Sequence, residues 1–166
     1  PRKAYEKTKQ FLKKHRDWIK NLAYKKIDST VRGNLAEELD PFFELDWVDI
    51  AAVVPALPHE GRTTVGGYHL VNGIPVIDTE YAKDGERAIE EACLPLLIQR
   101  YSRYNVSHIE FRNVSKGRKE IDKQFVEKFK NGNRIIVIDA SNNRDLEEIA
   151  GAIRSSKLNI LPVGSA

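Results

Sequence analysis

One short segment of the sequence gathers the kinds of side chain that bind small acids. Lys26, Asp28, Ser29 and Arg32 follow one another within a few positions, just before Asn34. An arginine fork can hold a carboxylate through two hydrogen bonds, an aspartate can accept from hydroxyl groups, and the N–H groups that open a helix add positive potential. The segment therefore suits a small polyhydroxy acid. The alternative is that its hydroxyls only cap turns while its cations lie in solvent.

A second segment, residues 61–67, combines glycines with hydroxyls and one arginine. Gly61 and Gly66 have the spacing of a phosphate-binding P-loop, but Gly67 and Tyr68 stand where that motif requires Lys and Ser or Thr, so the motif is not present. We predict a flexible loop able to hold a carboxylate or a phosphate, and the alternative is the start of an ordinary hairpin. The candidate ligands in this loop are Arg62, Thr63 and Thr64.

The elements that must position these segments alternate between strands and helices. The predicted strands cover residues 24–28, 50–57, 108–111, 134–140 and 159–163, and the predicted helices cover 34–44, 86–101, 119–130 and 145–155 after a basic N-terminal helix. Residues 68–71 and 74–77 flank Asn72-Gly73, a strong hairpin signal. The pattern predicts an α/β fold with an open, mainly parallel sheet, helices on both faces and a protruding β-hairpin.

Two of the predicted helices carry local signals at their ends. Asn34, with Glu37 three residues on, predicts a capping box at the start of the helix 34–44. Pro95 must start, kink or break the helix 86–101.

Both candidate segments follow predicted strands. In open α/β sheets, ligands bind at the carboxyl ends of the strands. We therefore expect residues 26–34 and 61–64 to come together in space, with Arg32 and Arg62 on the same side of the molecule.

The positive charge of the chain is concentrated at its N-terminus. The formal net charge is +3, yet ten Lys or Arg residues and only two acidic ones lie between Pro1 and Lys26. Six residues recur there at helical spacing, which favours a helix whose basic face is simply solvated. They are Tyr5, Thr8, Leu12, His15, Ile19 and Leu22. A nucleic-acid-binding patch is the alternative.

The composition limits the class of protein. With 166 residues, 41% of them hydrophobic and 31% charged, we expect a single globular domain over residues 1–166. The only cysteine, Cys93, excludes an internal disulfide framework, and no apolar run approaches the roughly 20 residues that cross a bilayer. The four histidines are scattered without metal-ligand spacing. We expect a cytoplasmic protein without a protein-bound metal or a membrane partner.

Several motifs, taken in order along the chain, resemble those of the four-carbon acid sugar kinases. Residues 26–34, K-I-D-S-T-V-R-G-N, are similar to that family's K-I-D-S-T-L-R-G-N segment, with Val31 in place of the more usual Leu. Further similar motifs are P-A-L-P at 55–58, G-R-T-T-V at 61–65, G-Y-H at 67–69, V-N-G-I-P at 71–75, V-I-D-A at 137–140 and P-V-G-S-A at 162–166. The resemblance spans essentially the whole chain.

The resemblance implies a kinase that transfers the γ-phosphoryl group of ATP, assisted by Mg²⁺, to a hydroxyl of an acid such as threonate or erythronate. It also implies that the chain holds most of the sugar-acid-binding domain. The chain would lack the family's first strand and Asp-Asp-x-Thr-Gly turn, and would end near Gly164 and Ser165 at the junction to a C-terminal nucleotide-binding domain. We expect such a fragment to bind no cofactor by itself and to be inactive alone.

Roles for individual residues follow from their chemistry together with this resemblance. Arg32 or Arg62 would hold the substrate carboxylate, and Lys26 would meet the carboxylate or the charge of the incoming phosphate. Hydroxyl recognition would fall to Asp28, Ser29, Thr63 and Thr64. Asp28 is also a candidate general base, a role that the family's Asp-Asp turn fills equally well. The rival hypothesis is a non-catalytic module that binds an acidic metabolite or, through the basic helix, nucleic acid.

Overall fold

A five-stranded parallel sheet forms the centre of the protein. The computed structural model describes residues 2–17, 19, 24–83 and 89–165. The strands are β1 (Lys25–Lys26), β2 (Ile50–Val54), β3 (Arg62–Val65), β4 (Tyr68–Val71), β5 (Ile74–Pro75), β6 (Asn105–Ile109), β7 (Asn133–Ile138) and β8 (Ile160–Gly164). The main sheet has the order β1-β8-β2-β7-β6, and all its neighbouring strands are parallel. The predicted α/β class is confirmed.

Helices cover both faces of this sheet. They are α1 (Arg2–Lys14), α2 (Leu35–Leu39), α3 (Leu94–Tyr101), α4 (Phe111–Val114), α5 (Arg118–Lys130) and α6 (Asn143–Ser155), joined by 3-10 turns at Asp40–Glu44, Pro58–Glu60, Val76–Asp78 and Glu80–Ala82. Alternate residues of the central strand β2 point to opposite cores. Ala51 and Val53 pack with the α1, α2 and α3 side, whereas Ile50 and Ala52 pack with α5 and α6. A strand buried on both faces accounts for the continuous apolar run in the sequence.

The basic N-terminal helix is amphipathic, as its spacing predicts. In α1, Leu12 is 2% exposed while Lys3 and Lys7 are exposed to solvent, and Ile19, beyond the end of α1, is 6% exposed. Leu22, the last residue of the predicted stripe, lies outside the described residues. Both apolar and charged contacts hold α1 on the domain, since Leu12 packs into the core and Lys9 pairs with Glu44 at 2.8 Å.

Strands β3, β4 and β5 form a separate antiparallel ribbon, residues 62–75, here called the ribbon. Its first turn has φ values of 62° at Gly66 and 79° at Gly67, and its second has 52° at Asn72 and 81° at Gly73. Positive φ at both central residues is the type I′ geometry that matches the twist of paired strands. The predicted hairpin at Asn72-Gly73 is confirmed. The predicted flexible loop at 61–67 is wrong, because most of it is strand β3.

Two helix predictions need correction. The helix at 34–44 is α2 followed by a 3-10 turn, since Pro41 lacks the N–H that would continue the α-helix. Asn34 makes no side-chain capping hydrogen bond, so the predicted capping box is wrong there. A capping box does form at Asn142 and Asp145, which start α6.

The helix predicted over residues 86–101 is shorter than expected. It begins at Leu94 and carries Pro95 in its first turn, where a missing N–H costs no intrahelical bond. Residues 89–93 are not helical, and the predicted part at 86–88 lies outside the described residues.

Other differences concern strand ends, and they include helix α4 and the 3-10 turn Val76–Asp78, which replace the predicted ends of the strands 108–111 and 74–77. β1 is shorter than the predicted 24–28, β2 stops at Val54 before Pro55, and β6 begins at Asn105 rather than at 108. In the described part of the chain, no helix is long and apolar enough to cross a bilayer.

Candidate functional site

The carboxyl edge of the main sheet carries both candidate segments. All five strands run in one direction, so the turn after β1 and the residues after β2, β7 and β8 lie along the same edge. The ribbon is fastened there by two bridges. Thr64 and Ala140 exchange backbone hydrogen bonds of 2.9 Å each, and Leu57 and Arg62 exchange bonds of 2.9 and 3.1 Å. The predicted 61–64 segment therefore lies over the ends of β2 and β7.

A fully buried carboxylate anchors the first turn of the ribbon. Asp139 accepts hydrogen bonds from the backbone N–H groups of Gly66 (2.8 Å), Gly67 (2.9 Å) and Phe111 (2.9 Å), and its Oδ1 lies 2.8 Å from His108 Nε2. Burial alone would raise the pKa of Asp139, but the bonds from His108 and the glycine amides lower it below its ordinary value. Because the glycine amides are used by Asp139, this turn does not present them to a phosphate.

The two faces of the ribbon have different surroundings. Side chains alternate along a strand, and β3 pairs with β4 so that Thr64 lies opposite His69 and Arg62 lies opposite Val71. Thr64, His69 and Val71 are buried, so this face turns inward. Thr63 lies on the opposite face. The structure therefore separates Thr63 from Arg62 and Thr64.

His69 joins the ribbon to the turn after β1. Its ring is fully buried, with Nε2 2.7 Å from the carbonyl oxygen of Ser29 and Nδ1 3.2 Å from Thr64 Oγ1. Burial lowers the pKa of His69 below its ordinary value, although the Ser29 carbonyl and the charge of Asp28 oppose this effect. The two segments expected to meet are thus brought together by a histidine that the sequence did not single out.

The turn after β1 is organised around Asp28. Its Oδ2 accepts from Thr30 Oγ1 at 2.5 Å and from Arg32 Nε at 2.8 Å, and Arg32 Nη2 reaches Oδ1 at 3.2 Å. Partial burial would raise the pKa of Asp28, but the hydrogen bonds from Arg32 and Thr30 lower it well below its ordinary value. Val31 lies inside this turn at φ 58° and is 4% exposed. A β-branched residue in the left-handed region is a strained position.

The remaining cations of the site have different surroundings. Lys26 is exposed, and its Nζ donates to the carbonyl of Ile27 at 2.7 Å. Arg62 has a side chain only 16% exposed, it donates to the Glu60 carbonyl, and its Cζ lies 5.5 Å from the ring centroid of Tyr81. Its Nε is buried and has no hydrogen-bond partner in the structure as described.

Gly164 and Ser165 serve the packing of strand ends. A Cβ at Gly164 would lie 3.1 Å from the carbonyl oxygen of Val54 and would clash with the Tyr24 hydroxyl. Ser165 is buried and donates to the carbonyl of Pro55 at 2.9 Å. These contacts hold the end of β8 against the end of β2.

Three residues of this edge were missed by sequence reasoning: His69, His108 and Asp139. A signal existed for Asp139, which directly follows an apolar strand, the place where polar residues of an α/β sheet collect. For His69 the sequence offered only its place in the G-Y-H motif at 67–69, because its contacts with Thr64 and Ser29 depend on the tertiary structure. Among the described residues, no group of three or more His, Cys, Asp or Glu side chains is arranged to hold a metal ion.

In open α/β domains, small polar ligands bind at the carboxyl edge of the parallel sheet. In this protein that edge carries a turn with basic side chains and, next to it, the ribbon. The comparisons with known proteins give the family. The chain belongs to the family described as "Sugar-binding N-terminal domain", whose model matches residues 1–166.

Relatives of known name support the resemblance to the four-carbon acid sugar kinases. A D-erythronate kinase of Heliobacterium modesticaldum is 32% identical over 164 residues, which are 98% of this chain and 37% of that protein. A D-threonate kinase of Salmonella typhimurium is 34% identical over 145 residues, 87% of this chain and 34% of that protein. The predicted resemblance is confirmed, and the chain spans little more than a third of either relative.

Solved structures agree with the fold. A Bordetella bronchiseptica domain of unknown function, crystallised with bound citrate as a domain-swapped dimer, matches 98% of this chain and 38% of its own length, with a TM-score of 0.78 and 26% identity. A Haemophilus influenzae protein matches 90% of this chain and 38% of its own length, with a TM-score of 0.76 and 26% identity.

Proposed function

We propose that residues 1–166 are most of the sugar-acid-binding domain of a longer ATP-dependent kinase, which phosphorylates a hydroxyl of a four-carbon acid of the threonate or erythronate type. The observation that carries the proposal is the junction made by His69, which joins the turn after β1 to the ribbon face that bears Arg62. The names of the related kinases supply the reaction and the class of substrate.

Arg62 is the better of the two candidate arginines for the substrate carboxylate. The fork of Arg32 already holds Asp28 through Nε and Nη2. Arg62, in contrast, has a buried Nε with no hydrogen-bond partner among the described residues, and a buried donor left unsatisfied costs free energy. A carboxylate of the substrate could satisfy this donor, and it would join or replace the half-exposed Glu60 carboxylate that lies 3.4 Å from Arg62 Nη1.

The other roles divide between binding the substrate and holding the site together. We assign Lys26 to the anionic end of the substrate or the incoming phosphate, and Ser29 to a substrate hydroxyl.

Asp28 and Thr64 hold the site together rather than bind the substrate. Asp28 accepts hydrogen bonds from Arg32 and Thr30. Thr64 is hydrogen-bonded to His69. A carboxylate with a strongly lowered pKa is a weak proton acceptor, so we do not assign general-base catalysis to Asp28. Thr63, on the outer face of the ribbon, is left out of the site.

ATP and Mg²⁺ would be held by another part of the kinase. Among the described residues, the amides of the Gly66-Gly67 turn already bind Asp139 and so are not available to a phosphate of the nucleotide. When bound, Mg-ATP supplies the γ-phosphoryl group, and this domain supplies the orientation of the acceptor hydroxyl. A partner nucleotide-binding domain and a cytoplasmic location belong to this proposal.

A non-catalytic binding module is the second candidate function. For nucleic acid, α1 would have to supply the basic face. Within α1, Lys9 pairs with Glu44 at 2.8 Å, whereas Lys3 and Lys7 are exposed. Capture of an acidic metabolite without catalysis would use the same edge of the sheet as the kinase.

The experiment is a turnover screen of the full-length protein with Mg-ATP against a panel of aldonates of different chain lengths. We expect phosphorylation of one or more four-carbon acids and little turnover of longer ones. Binding of these acids without ADP formation would favour the non-catalytic module. The absence of both binding and turnover across the panel would contradict the proposal.

A further inference from the structure

We propose that His69 is a positioning residue, which fixes the carbonyl of Ser29 and thereby sets the turn after β1, residues 28–33, against the ribbon. This inference rests on the proposed function, because its consequence is the spacing between two groups of sugar-acid ligands. Ser29 belongs to the turn and Lys26 to strand β1 just before it, whereas Arg62 belongs to the ribbon. His69 would not touch the substrate.

The protonation of the ring follows from its partners. A carbonyl oxygen can only accept, so the hydrogen must be on Nε2, which lies 2.7 Å from Ser29 O. In the neutral ring Nδ1 is then an acceptor, and the hydroxyl of Thr64 donates to it across 3.2 Å. This tautomer is assigned from the hydrogen-bond network. Both nitrogens of the buried ring therefore have a hydrogen-bond partner: Nε2 binds Ser29 in the turn after β1, and Nδ1 binds Thr64 in the ribbon.

The turn needs a support outside itself. From within, Asp28 holds the N–H groups of Thr30 and Arg32, each at 3.3 Å, but it leaves the carbonyl of Ser29 unbound. Val31, two residues further on, is strained at φ 58°. Strained backbone persists only where the surroundings hold it, and His69 provides the hydrogen bond from outside the turn.

The ribbon that carries His69 is itself held against the main sheet. It is fastened to the sheet by the Thr64 and Ala140 bridge and by Asp139, which binds both glycines of its first turn. Arg62 lies on the same face as Thr64 and His69. Fixing Ser29 to His69 therefore fixes the turn relative to Arg62, and a small misplacement of such groups has a large effect on binding and catalysis.

Two substitutions separate the two hydrogen bonds of the ring. In His69→Gln the side-chain amide nitrogen takes the place of Nε2 and keeps the donor to Ser29. In His69→Asn the amide takes the place of Nδ1, which keeps a partner for Thr64 and leaves Ser29 unbound. Both variants leave one buried polar group without its partner, so their unfolding free energies should fall by similar amounts.

The measurements use the full-length protein. We expect His69→Asn to raise the KM for the sugar acid roughly tenfold with the KM for ATP unchanged, and His69→Gln to stay within about threefold of the wild type. Hydrogen–deuterium exchange over residues 28–33 should be faster in His69→Asn than in His69→Gln. Equal sugar-acid KM values and equal exchange in the two variants would overturn the inference.

A second pair of variants tests the contact from the ribbon, should a His69 variant fail to fold. Thr64→Ser keeps the hydroxyl and Thr64→Val removes it, so only Thr64→Val should raise the sugar-acid KM and speed exchange in the turn. An unchanged Thr64→Val would overturn the inference. If the wild type phosphorylates no sugar acid, the proposed function fails, and hydrogen exchange alone still decides whether His69 holds the turn.

Discussion

The guanidinium of Arg32 holds the carboxylate of Asp28 through two hydrogen bonds, 2.8 Å from Nε to Oδ2 and 3.2 Å from Nη2 to Oδ1. Each side chain is about a third exposed, with 33% for Arg32 and 32% for Asp28. The pair therefore lies on the solvent-facing side of the turn after β1, where its hydrogen bonds hold the conformation of the turn. Two residues that sequence reasoning gave to the substrate are, in this structure, partners of each other.

This pair predicts how stability depends on pH. The folded-state pKa of Asp28 is lowered, so its ionised form contributes stability above the ordinary value of 3.8, and that contribution is lost as the pH falls below 3.8. Asp28→Asn should be less stable than the wild type near neutral pH, and the difference should shrink on acidification. Urea unfolding of both proteins across this range measures it.

Asp139 remains in both proteins and cancels from the comparison, although its pKa is lowered as well. A difference between wild type and Asp28→Asn that stays constant or grows as the pH falls below 3.8 would contradict the role given to the Arg32 pair.

The anchor of the ribbon gives a second prediction. Asp139→Asn keeps the shape of the side chain but replaces one accepting oxygen by an amide that meets N–H donors. We expect a loss of about 3 kcal/mol in unfolding free energy, since a buried charged acceptor with several partners is removed. Asp46→Asn is the matched control, because Asp46 is 89% exposed in its pair with Arg16, and its effect should stay within about 0.5 kcal/mol. Equal effects of the two substitutions would argue against the anchor.

The fold was readable from the sequence because its signals are local. The apolar run around Ala51 and Ala52 shows a strand buried on both faces, and Asn72-Gly73 shows a type I′ turn. The Gly66-Gly67 turn carries the same signal. The sequence left residues 61–67 open between a flexible loop and the start of a hairpin, and the structure shows the hairpin.

The site was only partly readable, because its contacts join residues far apart in the chain. The sequence places Arg62 and Thr64 in one segment, but only the pairing of β3 with β4 turns both toward His69 and turns Thr63 away. Likewise, composition cannot show that Arg32 is used by Asp28. The residue types at the site were predictable, whereas their partners depended on tertiary structure.

The two glycines of the first ribbon turn give a third prediction. A Cβ at Gly66 would meet nothing within 4 Å, so Gly66→Ala should cost only the left-handed backbone conformation, about 1 to 2 kcal/mol. A Cβ at Gly67 would also lie 3.2 Å from Pro95 Cδ, at the start of α3. Gly67→Ala should therefore lower the unfolding free energy more than Gly66→Ala does. Thermal unfolding of the two variants compares them, and the reverse order would show that the ribbon does not pack against α3 as described.

The central claim, that this edge binds a sugar acid through Arg62, is tested most directly by the steady-state kinetics of Arg62→Lys in the full-length protein. Lysine keeps the charge but loses the fork, so we predict that kcat/KM for the best four-carbon acid falls by roughly ten- to a hundredfold, or about 1.5 to 3 kcal/mol, while the KM for ATP is unchanged. Arg16→Lys, a conservative change at the exposed Asp46 pair, is the control and should behave as the wild type. An Arg62→Lys enzyme with unaltered sugar-acid kcat/KM would contradict the account.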